Sequence, residues 1–283
     1  MKHHPAGVYQ IWKEAFHDDD SYIDLFLHKG LPLGHLLTYG PSDSPYAALT
    51  LFPITLQIAG VSYSGYYLYA LGTLLSERGK GYGTTLLTTA EEYAMHTGRQ
   101  FILLQPTNHH LFKYYYTLGY HSSVFRTLFT CSKTALRVSS VERENLLHLL
   151  TKLSISPERI PTASNYSFDR FIWPTPLRKY ITEECLFRGG SVLYGAYCYP
   201  NIDLDGPFLE IKEMNTSTIE LPMLVEAIFS AFPHIERFVF WGKPQMKTIL
   251  PLSIEAFALI HFFNPELQKL YHPQSTFFAL GLD

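Results

Sequence analysis

A short glycine-rich segment, Arg78-Gly-Lys-Gly-Tyr-Gly-Thr84, most constrains how this chain can fold. The apolar stretch before it, residues 61–73, predicts a buried strand, and the stretch after it predicts an amphipathic helix that ends at Gly98. The first amides of a helix have no partners within the helix, and glycines leave such amides uncrowded. We therefore expect this segment to bind a phosphate group.

Two common phosphate-binding motifs do not fit the segment. A dinucleotide-binding fingerprint, Gly-x-Gly-x-x-Gly, counted from Gly79 or Gly81 would need its third glycine where Thr84 or Leu86 stands. A Walker loop needs Ser or Thr after Lys80, where Gly81 stands. The segment instead resembles the pyrophosphate loop of the GCN5-related N-acetyltransferase (GNAT) superfamily. That signature is Arg or Gln, two residues, Gly, one residue, and Gly or Ala, and Arg78, Gly81 and Gly83 fill it.

A second part of the chain is similar to the same family. Asn108 stands seven residues before Tyr115 and Gly119 four residues after it, as in the second family signature, and Tyr120 replaces the usual Phe. The resemblance is specific over about residues 10–130. It implies an α/β protein of the GNAT fold, with a mixed twisted central sheet flanked by helices and followed by a second GNAT-like α/β domain.

The resemblance implies an acetyl-CoA site made of a strand end, the glycine-rich loop and a helix. In the family the strand bulges near the position of Gly72, although this glycine could equally serve only to relieve packing. Asn108 would orient the cofactor or cap its helix. The implied cofactor-binding residues are Leu71, Gly72 and Thr73 for pantetheine, Arg78, Gly79, Lys80, Gly81, Tyr82, Gly83 and Thr84 for pyrophosphate, and Asn108.

Tyr115 is the residue that the resemblance implies as the general acid. A phenol, with an ordinary pKa near 10, is a suitable proton donor to the departing CoA thiolate. Tyr114 and Tyr116 flank it, and we expect both to pack in the core or at its edge.

The sequence does not identify a general base. No Asp or Glu lies between Val61 and Ser76, and we expect Glu77 to be solvated. Three possibilities for the base stay open. It could be water held by backbone carbonyls or the terminal carboxylate of Asp283, or the amine could have a low pKa and need no base.

Composition excludes several other classes of protein. The 22 cations and 25 carboxylates are nearly balanced and form no basic run, so we expect no nucleic-acid or membrane partner. The polar first residues are unlike a signal peptide, which favours the cytoplasm. The three cysteines contain no Cys-x-x-Cys pair, so we expect structural thiols and no metal.

The second half predicts a weaker copy of the first. The apolar pattern fades over residues 132–143, so we place the domains at residues 1–135 and 136–283. The leucine spacing at 142–153 predicts a helix. The elements that follow are predicted in the order helix (174–187), strand (191–199), strand (208–214), helix (221–232) and strand (237–241). No Arg-x-x-Gly-x-Gly lies between the predicted strand 208–214 and the predicted helix 221–232. We therefore expect a degenerate GNAT-like domain that forms part of the acceptor cleft.

The resemblance implies an acyltransferase that moves an acetyl group from acetyl-CoA, as co-substrate, to a primary amine of a small molecule or peptide by direct attack. Two alternatives stay open: a non-catalytic acyl-CoA-binding regulatory module, and a transferase that uses aminoacyl-tRNA, against which the acidic balance counts. The sequence does not name the acceptor, and it leaves open whether the chain forms a homodimer.

Overall fold

The protein is described from a computed structural model, which covers residues 6–137, 169–213, 221–242, 252–274 and 276–278. The predicted helix at 142–153, the segment 215–220 and the carboxylate of Asp283 lie outside the described residues. The chain divides into two compact units. The first comprises Met1–Ser123, Phe171–Tyr180 and Ala258–Tyr271, and the second Val124–Arg170, Ile181–Phe257 and His272–Asp283. Since these units are discontinuous in sequence, a division at residue 135 stays a prediction.

Residues 6–117 supply most of the first unit. Its elements are α1 (Ala6–Phe16), α2 (Asp20–Leu25), a π-helical turn (Phe26–Gly30), a 3₁₀ turn (Leu31–Leu33), β1 (His35–Tyr39), β2 (Ala47–Ile58), β3 (Val61–Thr73), a 3₁₀ turn (Leu75–Glu77), α3 (Tyr82–His96), β4 (Phe101–Leu104) and α4 (His109–Thr117). The predicted central strand and the two helices that follow it are thus confirmed.

The remainder of the chain alternates between short helices and strands. Its described elements are β5 (Ser122–Ser132), α5 (Lys133–Arg137), β6 (Asp169–Ile172), α6 (Thr175–Phe187), β7 (Ser191–Leu193), β8 (Ala196–Asp203), β9 (Gly206–Lys212), α7 (Leu221–Ala231), β10 (Arg237–Gly242), β11 (Ser253–Phe262), α8 (Pro265–Leu270) and β12 (Thr276–Phe277). Among these helices and those of the first unit, none has both the length and the apolar character needed to cross a membrane.

The sheet of the first unit is mixed. Strands β1, β2 and β3 pair antiparallel, β4 pairs parallel to β3, and the end of β11 pairs antiparallel to β4. Helix α3 connects β3 to β4 and buries Leu86, Leu87, Ala90 and Ala94 against this sheet. These positions recur at helical spacing, so one face of α3 is apolar, as the sequence predicted.

Helices α1 and α2 belong to the same unit. Asp19 caps α2, because its Oδ1 accepts a hydrogen bond from the Tyr22 amide at 2.8 Å. Trp12 of α1 stacks on Phe26, with ring centroids 4.2 Å apart. The acidic residue Asp19 therefore serves as a helix cap.

The strands of the second unit also pair in both directions. Strands β7, β8 and β9 pair antiparallel, β10 pairs parallel to β9, and β5 pairs antiparallel to β10. The prediction of one strand over residues 191–199 is wrong, because Tyr194 and Gly195 form a turn with φ of 48° and 78° that separates β7 from β8.

All three cysteines carry free thiols. Cys185 and Cys198 are buried and Cys131 is half-buried. Burial raises the pKa of Cys131 to about 12. Burial is also the main reason that the pKa of Cys185 is raised to about 11. Thiols of this kind are poor nucleophiles at neutral pH.

Candidate active site

The parting of β3 from β4 creates the opening of the candidate site. The two strands pair only from Tyr66 to Leu68 on β3, opposite Ile102 to Leu104 on β4. Strand β4 ends there, whereas β3 continues for five more residues to Thr73. Along residues 70–73, the described part of the chain provides no strand partner on the β4 side of β3. Unpaired amides and carbonyls at such an edge can bind an extended ligand as an added strand does.

A bulge in β3 lies within this unpaired segment. Gly72 pairs with Ala48 and Tyr69 pairs with Thr50, so β3 has one residue more than β2 between these pairs. Ala70 has a φ of 55°, which places the irregularity at Ala70 and Leu71. The bulge therefore precedes Gly72 by one or two residues.

Gly72 has a packing role in the structure. A Cβ at this position would lie 2.8 Å from Ile11 Cγ2 and 3.1 Å from Ala15 Cβ. Helix α1 can therefore approach β3 closely only because residue 72 has no side chain.

The loop after β3 presents backbone amides at the start of α3. Gly79 and Gly81 have φ of 78° and 83°, and a Cβ at either position would meet nothing within 4 Å. Glycine therefore suits both positions because of the backbone conformation, and not because a side chain would clash. Gly81 is the N-cap of α3 and no side chain caps the helix there, so the first-turn amides of Tyr82, Gly83 and Thr84 face no capping group.

Both cations of the loop have partners within the protein. Arg78 Nε donates to the Thr73 carbonyl at 3.3 Å, and Lys80 Nζ donates to Glu77 Oε2 at 2.8 Å. The hydrogen bond that Lys80 donates to Glu77 is the main cause that raises the pKa of Lys80. Glu77 is thus ion-paired, which corrects the expectation that it is solvated.

Aromatic packing fixes the side chain of Tyr82. Its ring stacks against Tyr39, with centroids 4.8 Å apart, and against Tyr46, at 5.6 Å. Tyr46 also accepts a hydrogen bond at its carbonyl from the Leu74 amide, at 3.0 Å. The Tyr82 ring therefore anchors the loop. Its two partners lie about 40 residues earlier, and no local pattern predicted them.

Helix α4 begins at an asparagine cap. Asn108 Oδ1 accepts a hydrogen bond from the Leu111 amide at 3.0 Å, so Asn108 caps the helix in this structure.

The three consecutive tyrosines of α4 have different environments. Tyr115 is 7% exposed, and burial is the main cause that raises its pKa well above the ordinary value. Tyr114 Oη lies 2.9 Å from Thr84 Oγ1, which joins α4 to the first turn of α3. Tyr116 is 56% exposed and packs against His121. Tyr114 therefore has a polar contact with the loop that the prediction of simple packing missed.

Trp173 and Trp241 are packed in the cores of their units. Trp173 lies edge-on to Tyr67, with centroids 5.2 Å apart. Trp241 lies edge-on to Phe257 at 5.7 Å, and the Arg126 guanidinium lies 3.9 Å from its ring centroid. Both tryptophans are less than 5% exposed.

The described geometry defines a class of protein. The site has three features: a parallel strand pair that parts, a bulge in β3 beyond its last pair with β4, and a glycine loop at the start of the connecting helix. Together they suit an extended ligand with a phosphate group. The next helix of the chain carries the buried Tyr115.

Several solved structures have a fold similar to that of this chain. A GCN5-related N-acetyltransferase from Kribbella flavida covers 93% of this chain and 71% of its own, with 11% identity and a TM-score of 0.59. One from Anabaena variabilis covers 94% and 72%, with 13% identity and a TM-score of 0.59. A conserved Enterococcus faecalis protein, named as a probable N-acyltransferase, covers 91% and 69%, with 13% identity and a TM-score of 0.64. At these identities the likeness shows the fold.

The family of acetyltransferase (GNAT) domains matches residues 3–122. This part of the chain is a GNAT domain, as its two sequence signatures indicated. A search of curated protein sequences finds no match to the chain.

Proposed function

We propose that the chain transfers an acetyl group from acetyl-CoA to a primary amine of a small molecule or peptide. The observation that carries this proposal is the unpaired end of β3 beside the amide-rich start of α3. A strand edge beside a helix start suits a carrier that has amides in one part and a pyrophosphate in another.

The loop binds the pyrophosphate through its main chain. The start of α3 carries the equivalent of about half a positive charge. The amides of Tyr82, Gly83 and Thr84 donate to phosphate oxygens, and Arg78 and Lys80 add cations near them. Leu71, Gly72 and Thr73 lie along the edge that receives pantetheine.

Tyr115 acts as the general acid. The neutral amine attacks the thioester carbon, a C–N bond forms, and the C–S bond then breaks to release the CoA thiolate. Tyr115 gives its proton to this sulfur, while the amine loses a proton to water. Because burial raises the pKa of Tyr115 above its ordinary value, the phenol stays protonated at neutral and mildly alkaline pH.

We assign the second unit to a GNAT-like domain whose sequence lacks Arg-x-x-Gly-x-Gly between β9 and α7. Its β8, β9, α7 and β10 follow the order of β2, β3, α3 and β4. We assign to it the recognition of the acceptor.

Calorimetry and a thiol-release assay test this function. Acetyl-CoA should bind with one molecule per chain, and thiol should be released with some member of a panel of primary amines. A lysine peptide and the same peptide with a dimethylated lysine form a matched pair, because the tertiary amine cannot be converted to an amide. A blank without amine corrects for Cys131, Cys185 and Cys198.

Each outcome separates the proposal from its rivals. Binding of acetyl-CoA with no thiol release on any amine would favour the regulatory module. No uptake of acetyl-CoA or CoA at millimolar concentration would rule out the site itself.

A further inference from the structure

A line of three side chains supports Tyr115 from the side of α3 and β11. The ring of Tyr120 packs edge-on against Tyr115, with centroids 5.8 Å apart, and edge-on against His261 at 5.3 Å. His261 Nδ1 in turn lies 3.1 Å from Glu91 Oε1. Glu91 belongs to α3 and His261 to β11, so three separate parts of the first unit meet at Tyr120.

The turn after α4 holds Tyr115 by its backbone as well. The amides of Leu118 and Tyr120 both donate to the Tyr115 carbonyl, at 3.0 and 3.2 Å. Between them stands Gly119, with a φ of 97°, and a Cβ there would lie 3.1 Å from His261 Cε1. His261 can lie this close to the turn because residue 119 has no side chain.

Tyr120 makes these contacts with its ring. The residue is fully buried, and its hydroxyl makes no hydrogen bond of ordinary geometry with the described residues. Burial, followed by the nearby Glu91 carboxylate, raises its pKa. The contacts of Tyr120 with Tyr115 and His261 are those of its aromatic ring.

We propose that His261 and Glu91 are positioning residues that act on Tyr115 through Tyr120. The Glu91–His261 pair fixes the imidazole, the imidazole fixes the Tyr120 ring, and that ring sets the direction of the Tyr115 phenol. A general acid must lie within hydrogen-bond reach of the leaving atom, and a small misplacement costs rate. This inference rests on the proposed role of Tyr115. It also places a contributor to the site, His261, outside the matched segment 3–122.

His261→Gln and Glu91→Gln test the proposal. Each should lower kcat about tenfold and leave the KM for acetyl-CoA within about twofold, because neither changes the glycine loop. Glu92→Gln is the matched control, since Glu92 is the next residue of α3 and is exposed. Tyr120→Leu should lower kcat as much as His261→Gln, and Tyr120→Phe should lower it less because the ring is kept.

A double-mutant cycle then shows whether His261 acts through Tyr115. In a Tyr115→Phe protein, His261→Gln should have no further effect on kcat. Additive losses would overturn the proposal, and so would full kcat in both His261→Gln and Glu91→Gln. Circular dichroism and thermal melting report folding of every variant. Tyr115→Phe alone reports on the proposed function: full turnover there removes the acid role, whereas a loss there with additivity in the cycle removes only the positioning role.

Discussion

The two units share one topology and differ at the end of one strand. In each unit, two antiparallel strands are followed by a helix and by a strand parallel to the second of them. Strand β3 runs five residues beyond its last pair with β4, at Leu68, whereas β9 runs one residue beyond its last pair with β10, at Ile211. Among the described residues, the long unpaired edge therefore belongs to the first unit.

The difference teaches that the strand–helix–strand connection alone does not make a cofactor site. At the end of β9, the buried Lys212 places its Nζ 4.7 Å from the centroid of the Tyr199 ring and 4.6 Å from that of Trp241. A large side chain therefore occupies the strand end of the second unit, where the first has Gly72 beside a bulge. The topology is common to both, and the open edge with its glycine loop distinguishes the first.

Tyr115→Phe should have the largest effect, because it tests whether the open unit performs the chemistry. Loss of the proton donor should reduce turnover about 10²-fold or more while the Kd for acetyl-CoA stays nearly unchanged. Thiol release and calorimetry measure the two quantities. Tyr116→Phe, at the exposed neighbouring position, is the control and should behave as the parent. Unchanged turnover in Tyr115→Phe would move the acid elsewhere.

Gly72→Ala should have the next largest effect, which is a loss of folding stability. The added methyl would lie 2.8 Å from Ile11 Cγ2 and 3.1 Å from Ala15 Cβ, so α1 must shift, at a cost of about 2 kcal/mol in free energy of unfolding. Gly83→Ala is the matched comparison, because its methyl would meet Thr73 Oγ1 at an ordinary 3.6 Å. Denaturant unfolding measures both. Equal stability of the two variants would contradict the packing role of Gly72.

Gly81→Ala should weaken cofactor binding about tenfold. An L-residue with a φ of 83° is strained by about 1–2 kcal/mol, so the loop would shift and misalign its amides. Gly98→Ala has the same kind of strain, with a φ of 71°, at the other end of α3. Calorimetry should find weaker acetyl-CoA binding in the first variant only. If Gly98→Ala weakened binding equally, general loss of stability would be the cause.

Local patterns predicted the frame of the site well. The bounds 61–73 of the central strand, the helix that ends before Gly98 and the cap at Asn108 all follow from apolar spacing and short polar side chains near them in sequence. Each of these signals lies within a few residues of its effect.

Features that depend on distant residues were not predictable. Nothing in a single sequence pairs β11 with β4, and so nothing places His261 beside Tyr120.

Two local features were not predicted either. The bulge was expected at Gly72, but the residue with positive φ is Ala70, and alanine has no preference for positive φ. The ion pair of Lys80 with Glu77 is a choice among several exposed partners, which sequence spacing does not decide.

That ion pair leads to the smallest expected effects, which have opposite signs. Lys80→Gln removes a cation that Glu77 already offsets, so the Kd for acetyl-CoA should rise by less than about fivefold. Glu77→Gln removes the offsetting carboxylate and frees Lys80 for phosphate, so the Kd should fall within the same range. Calorimetry at low and high salt should show both differences shrink as salt screens these exposed charges. A large, salt-insensitive loss in Lys80→Gln would mean that the lysine, and not the first-turn amides of α3, holds the phosphate.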